Sequence, residues 1–150
     1  MSGKKIFISG TSGMLGSNLL HLIHNDNIVG CGRELDITDA KKLGLALKHA
    51  NPDIIIHAAA NTDVEGSEKN RNEAYRINTL GTQNLVNFCI EKDILFVYLS
   101  STGIYGREKE KDPYDEFDNS NPTTIHHKSK FEAEKIVKSH IHKHLIIRTV

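Results

Sequence analysis

The sequence predicts an α/β protein built on a doubly wound parallel sheet, and three observations predict it. Five short, continuously apolar runs recur along the 150 residues, the stretches between them carry helical periodicity, and the first run leads straight into a glycine-rich turn. The runs are residues 5–9 (KIFIS), 27–31 (NIVGC), 53–57 (DIIIH), 94–100 (ILFVYLS) and 144–150 (HLIIRTV). Each is rich in β-branched or aromatic residues and unbroken by polar alternation, as suits strands buried on both faces. Between them, Leu15, Leu19, Leu22 and Ile23 share one face of a first helix. Ala74, Ile77, Leu80, Leu85 and Phe88 line a longer one, and Phe131, Ala133, Ile136 and Val137 do so in the last. Alternation of this kind implies βαβ units with right-handed crossovers. Residues 107–121, with Pro113 and Pro122 nearby, follow neither period and are expected to form an exposed loop.

Composition removes several classes of function. The 19 basic and 19 acidic residues cancel, so the broad positive field that nucleic-acid binding uses is missing and no nucleic-acid partner is expected. No apolar run approaches the roughly 20 residues of a membrane span, so no membrane partner is expected either. The first residues run directly into a strand-like segment, which argues against a signal peptide. Two cysteines, Cys31 and Cys89, make no disulfide framework, and the expected compartment is the reducing cytoplasm.

Directly after the first strand comes Gly10-Thr11-Ser12-Gly13-Met14-Leu15-Gly16, a GxxGxxG turn opening into a helix. Glycines permit the tight turn, let backbone approach a pyrophosphate and allow close helix–strand packing. The helix start at Met14 and Leu15 then offers free N–H groups and the positive dipole end to a phosphate. The bland reading is a tight βα turn without a ligand. The strand-before, helix-after context favours a dinucleotide instead. After the second strand stands Gly32-Arg33-Glu34-Leu35-Asp36. A carboxylate at the strand end suits the ribose hydroxyls of NAD, and an arginine suits a 2′-phosphate. Arg33 is nearest, so NADP is expected ahead of NAD, against the alternative that Arg33 is merely a solvated surface residue.

In order, the motifs GTSGMLG, ELDITD, HAAANTDVEGSE, YRINTLGT, LSSTGIYG and HHKSK resemble the extended short-chain dehydrogenase/reductases, and among them the dTDP-4-dehydrorhamnose reductases. The resemblance covers essentially the whole chain but only the N-terminal, cofactor-binding part of such enzymes. It implies a Rossmann-like sheet of about five strands in the order 3-2-1-4-5, with residues 1–150 a single NAD(P)-binding domain and the C-terminal substrate lobe missing. It places Gly10, Gly13 and Gly16 under the pyrophosphate, Asp36 and Ile37 beside the adenine, and Ala58, Ala59 and Ala60 close under the cofactor. Asn78 matches the helix asparagine that organises the site, Ser101 the catalytic Ser/Thr, and Lys130 the lysine of the YxxxK motif that holds the nicotinamide ribose. The implied reaction is hydride transfer to a 4-keto nucleotide sugar, with a nucleotide-sugar-like small molecule as partner. Homo-oligomerisation is left open.

One position departs from the pattern. Where the family has the tyrosine that donates a proton to the substrate carbonyl, four residues before the lysine, this chain has His126. The i,i+4 spacing keeps His126 and Lys130 on one helix face. Imidazole suits general acid–base work near neutrality, yet a neighbouring lysine disfavours its protonated form. The alternative function is therefore a non-catalytic NAD(P)-binding module, a degenerate or regulatory remnant of such an enzyme. Tyr105, the nearest tyrosine, reads as a wall of the sugar pocket.

Other constellations read as bland. His140, His142 and His144 alternate as strand ligands for zinc would, but they straddle a helix-to-strand connection beside Lys138 and Lys143. His21, His24 and His49 read as surface residues, His57 as structural, and the alternating charges of residues 107–112 as a solvated loop. No G-x-S-x-G elbow accompanies Ser100 and Ser101.

Overall fold

The computed structural model describes residues 3–23, 27–106 and 113–150; the charge run 107–112 and His24 lie outside the described residues. Five parallel strands form one sheet: β1 (Ile6–Ser9), β2 (Ile28–Cys31), β3 (Ile54–His57), β4 (Leu95–Ser101) and β5 (His144–Thr149). The helices are α1 (Met14–Leu22), α2 (Ala40–Ala50), α3 (Val64–Lys69), α4 (Arg71–Tyr75), α5 (Gly81–Lys92) and α6 (Ile125–His140). Among the described residues no helix is long and apolar enough to cross a membrane.

The parallel, doubly wound class and the five strands are as expected, but the order is not. The expected order was 3-2-1-4-5; the sheet runs β2-β1-β3-β4-β5. The reason lies in the runs themselves. β3 carries Ile54, Ile55 and Ile56 and takes the position between β1 and β4, with Ile8 opposite Ile56 and Ile56 opposite Val97. β2, with Gly30 and a half-exposed Val29, is the run that tolerates an edge. The segment after β2 pairs with no strand but turns over the strand ends, so α2 carries the chain back past β1. Right-handed crossovers then put α1 on one face and α2, α5 and α6 on the other, where the three pack side by side. Phe7, Ile55, Phe96 and Tyr98 meet Leu43, Leu47, Leu85, Val86, Ala133 and Val137 there, all buried. Each of the valine, leucine, isoleucine and phenylalanine side chains among them contributes about 1.5–3 kcal/mol by leaving water.

The α1 face is far more open. Gly16 is the only residue of α1 that is buried, and Leu145 and Ile147 of β5 remain about half exposed. The long central helix expected to run past Ala74 to Phe88 is instead a composite. A π-helical turn, Arg76–Leu80, joins α4 to α5. Its wider winding rotates the apolar face, so Leu80, expected inside, is 47% exposed while Asn78 points inward.

Caps account for most helix starts. Asp39, Asp63 and Thr124 accept the N–H groups of Lys42, Gly66 and His127 at the first turns of α2, α3 and α6. The helix α1 differs, since Gly13 at its start has no side chain to cap it. Cys31 and Cys89 are buried thiols, both pushed well above the usual range by burial, to about 11 and about 12. Neither is poised as a nucleophile.

A candidate dinucleotide cleft

A cleft of about 830 Å³ opens at the C-terminal ends of the strands, across the point where β1 and β3 send their helices in opposite directions. Gly10, Ser12, Gly13, Met14, Leu15, Gly16, Arg33, Asp36, Ile37, Ala58, Ala59, Ala60, Ser101, His126 and Lys130, all singled out from the sequence, line it. Asn78 does not; it sits one layer behind the wall.

The glycine turn is built by backbone. The carbonyl of Cys31 accepts the N–H groups of Gly10 (2.8 Å) and Thr11 (3.0 Å), and the carbonyl of Gly10 accepts that of Gly13 (3.0 Å). Gly10 lies at φ +83°, and a Cβ there would stand 2.5 Å from the nitrogen of Ala59. A Cβ on Gly16 would stand 2.2 Å from the Gly10 carbonyl oxygen. The turn is therefore packed backbone to backbone, and the start of α1, which no side chain caps, lines the cleft. Such a cradle fits a pyrophosphate in shape and in charge.

Beyond β2, the side chains sort themselves. Glu34 folds back to accept the N–H of Gly32 (2.5 Å), and Ser12 Oγ accepts that of Arg33 (3.1 Å). Asp36 is occupied as well. Its Oδ1 accepts the N–H (2.9 Å) and hydroxyl (2.8 Å) of Thr38, and its Oδ2 faces Arg76 at 3.3 Å. Thr38 and then Arg76 hold this carboxyl below its usual range. Arg76, held in turn by Glu73, lines the cleft too. Arg33 has no carboxylate partner among the described residues. Arg76 stands inside YRINTLGT, where Asn78 is the residue singled out, and nothing local ties it to Asp36, 40 residues away.

At the other end, α6 presents His126, Lys130 and Glu134 at intervals of four, all buried. The ammonium of Lys130 donates to the carbonyl of Leu99 (2.5 Å) and lies 4.4 Å from the centre of the Tyr98 ring. Burial draws it down to about 7 despite nearby Glu134. Ser101 Oγ accepts the N–H of Gly103 (3.1 Å). Tyr105 faces away from the cleft into a second cavity, its hydroxyl donating to the Asp115 carbonyl (2.8 Å). His127, not anticipated, lines the cleft with its ring against the bare Cα of Gly103.

Two asparagines hold His126 in place. Asn78 accepts the N–H of Asn61 (2.7 Å) and donates to its carbonyl (3.1 Å) and to Ser129 Oγ (2.9 Å). The Ser129 hydroxyl donates to the His126 carbonyl (2.7 Å), and His126 Nδ1 lies 2.8 Å from the same Asn61 carbonyl. The π-helical turn thus fixes the loop after β3 against α6.

Below this layer, His57 is fully buried between Ser9 Oγ (Nδ1, 2.7 Å) and Thr82 Oγ1 (Nε2, 2.9 Å). The Thr82 hydroxyl gives its proton to the Asn78 carbonyl (2.6 Å), so His57 carries its own proton on Nε2. Burial first, then the charge of Lys130, pushes this histidine down to about 3. The unfolded chain takes up that proton near the ordinary 6.5, and the folded protein does not. Acid therefore favours unfolding, and the contribution of this histidine to stability is lost as pH falls from about 6.5 towards about 3. Urea unfolding should show lower stability at about pH 5 than at about pH 6.5, and His57→Gln should narrow the difference.

The fold is that of the N-terminal part of the extended short-chain dehydrogenase/reductases. Residues 4–150 match the family model described as the RmlD substrate binding domain, and the chain belongs to that family. It is 28% identical over 157 residues to dTDP-4-dehydrorhamnose reductase of Mycobacterium tuberculosis, covering 99% of this chain and 51% of the relative. Over 115 residues it is 31% identical to GDP-6-deoxy-D-talose 4-dehydrogenase of Aggregatibacter actinomycetemcomitans, covering 71% of this chain and 38% of that one. Among solved structures, dTDP-4-dehydrorhamnose reductase of Bacillus anthracis in complex with NADP superposes with a TM-score of 0.94 at 31% identity, covering 99% of this chain and 54% of that one. The chain spans about half the length of most of the relatives it matches.

Proposed function

We propose that residues 1–150 form the cofactor-binding part of a cytoplasmic NAD(P)-dependent oxidoreductase acting on the C4 carbonyl of a nucleotide sugar. The observation that carries this reading is the glycine cradle: Gly10, Gly13 and Gly16 line the cleft, and the lack of side chains at Gly10 and Gly16 lets the turn pack tightly against its own backbone and that of Ala58 and Ala59. The named activities of the relatives, a 4-dehydro-sugar reductase and a 4-dehydrogenase, support the position of the chemistry.

In this reading the turn from Gly10 to Gly16, with Ser12, Met14 and Leu15, holds the pyrophosphate. Asp36 and Ile37 border the adenine, and the small side chains of Ala58, Ala59 and Ala60 let the cofactor lie close to the sheet. Asn78 contributes from behind, through Asn61. When bound, the nicotinamide supplies or takes up a hydride. Lys130 holds its ribose, Ser101 positions the substrate oxygen, and His126 handles the proton in place of tyrosine. Arg33 favours NADP over NAD, because a guanidinium beside the strand end complements a 2′-phosphate, whereas Arg76 is already paired with Glu73 and Asp36.

Nicotinamide fluorescence tests this directly. NADPH titrated with the chain should gain emission and saturate, whereas failure of both NADPH and NADH to bind would overturn the reading. Arg33→Ala should weaken NADPH about tenfold or more, the worth of one charge-assisted hydrogen bond, and leave NADH nearly unchanged. A binding-only module is the second reading, favoured by the absent tyrosine at position 126. Consumption of NADPH with a 4-keto nucleotide sugar separates the two.

A further inference from the structure

We propose that His126 rests in the cleft as a proton acceptor, with its proton on Nδ1 and a bare lone pair on Nε2, so that the site is set to oxidise a secondary alcohol at neutral pH. The inference deepens the enzymatic reading above and rests on it for the substrate. It differs in fixing the direction in which the resting site is competent.

The tautomer follows from the partner. His126 Nδ1 lies 2.8 Å from the main-chain carbonyl of Asn61, which can only accept, so Nδ1 must carry the hydrogen. The same carbonyl is held by Asn78, and Asn78 is held by Ser129, so the partner does not swing away. His126 lines the cleft, and Nε2 has no hydrogen-bond partner among the described residues. In the neutral ring that nitrogen is the basic one. It receives a proton and has none to give.

Charge keeps the ring neutral. His127 and Lys130 flank it on α6, and both oppose a second proton, as does burial, the largest influence. The Asn61 carbonyl pulls the other way and is outweighed. From α3, Glu68 spends its carboxylate on the N–H of Ile125 (2.7 Å); in the π-helical turn, Asn78 is a neutral amide and Arg76 is paired with Glu73 and Asp36. His126 therefore titrates below its ordinary value.

The balance is simple. For a secondary alcohol in the cleft, the O–H bond breaks to give its proton to Nε2, and the carbinol C–H passes as hydride to an oxidised nicotinamide dinucleotide, the co-reactant, leaving a ketone and an imidazolium. Reduction is the reverse and needs His126 protonated beforehand. The rate of reduction should thus fall tenfold per pH unit above the histidine midpoint, while that of oxidation levels off. A tyrosine at this position carries its proton at neutral pH and has no such handicap.

Two measurements decide it. Long-range proton–nitrogen correlation spectra of the full chain at about pH 7, with His126 assigned by the signal lost in His126→Gln, should show a pyrrole-type Nδ1 and a pyridine-type Nε2. A protonated Nε2 overturns the proposal. Oxidation of dTDP-rhamnose with NADP⁺ and reduction of the 4-keto sugar with NADPH should then show opposite pH profiles, and His126→Tyr should move the loss of reduction to higher pH. Reduction that holds constant through the His126 titration also overturns it. Failure of NADPH to bind overturns the dinucleotide reading instead; the nitrogen shifts, read on the chain alone, tell the two failures apart.

Discussion

Gly10→Ala is expected to abolish dinucleotide binding and to destabilise the protein by about 2–5 kcal/mol. Two costs combine. A side chain in the left-handed region costs about 1–2 kcal/mol, and Gly10 sits at φ +83°. The new Cβ would also meet Ala59 N, Ala59 Cα and Ala58 C at 2.5–2.7 Å, all of them backbone that cannot rotate aside. Overpacking of this kind costs about 1–3 kcal/mol more. Gly16→Ala should behave alike, because its Cβ would press the Gly10 carbonyl and force α1 off the turn. Gly44 is the control. It lies within α2 with open space around its Cα, so Gly44→Ala should stabilise by about 0.5–1 kcal/mol through helix propensity. Urea unfolding and NADPH fluorescence read all three variants. Retained NADPH binding in Gly10→Ala would remove the cradle from the cofactor reading.

Arg148→Met should cost about 3–5 kcal/mol, the penalty for stranding a buried charge. Glu134 is wholly buried and takes both Nε (3.1 Å) and Nη2 (2.9 Å) of Arg148, a bidentate pair joining α6 to the end of β5. Arg148 also donates to the Tyr105 hydroxyl and to the carbonyl of Glu116. Lys138, half exposed, reaches Glu134 at 3.4 Å and cannot replace a guanidinium fork. A double variant, Glu134→Leu with Arg148→Met, should recover most of the loss, because no charge then remains to be solvated. A double-mutant cycle in urea should give a coupling of about 1–3 kcal/mol. Burial alone would raise the Glu134 carboxyl, but the hydrogen bonds and charge of Arg148, with Lys138, outweigh it and hold the group low. The pair's stability is therefore complete above the ordinary carboxylate range, and it is lost as pH falls through the depressed folded value. Glu134 lies one turn beyond Lys130, so the variant should also loosen the lysine and weaken NADPH.

The sequence was most legible where covalent geometry dictates the answer. The glycine spacing of the turn from Gly10 to Gly16 is a local signal, and the fold supplies its reason in the close backbone approaches at Gly10 and Gly16. The apolar runs needed burial on both faces, which specified a parallel sheet. His126 stood out because position and residue type conflict with a familiar spacing. Contacts between distant segments left no such trace. The order of the strands is not legible in the sequence, because hydrophobic runs say that a strand is buried, not which neighbours bury it. Arg76 lies within YRINTLGT, but its role is not legible there, because Asp36 and Thr38 are brought to it only by the fold. The π-helical turn, a one-residue widening, is invisible to a 3.6-residue period, and it turned Leu80 out and Asn78 in.

By itself, the sequence determined the class of fold, the cradle and the set of groups available for chemistry, since these depend on residue type and local spacing. Only the tertiary structure decided how those groups are protonated. The proton on His126 is placed by a carbonyl 65 residues away, and that on His57 by a threonine 25 residues away. Hydrogen-bond partners and burial set a tautomer, and both belong to the folded chain.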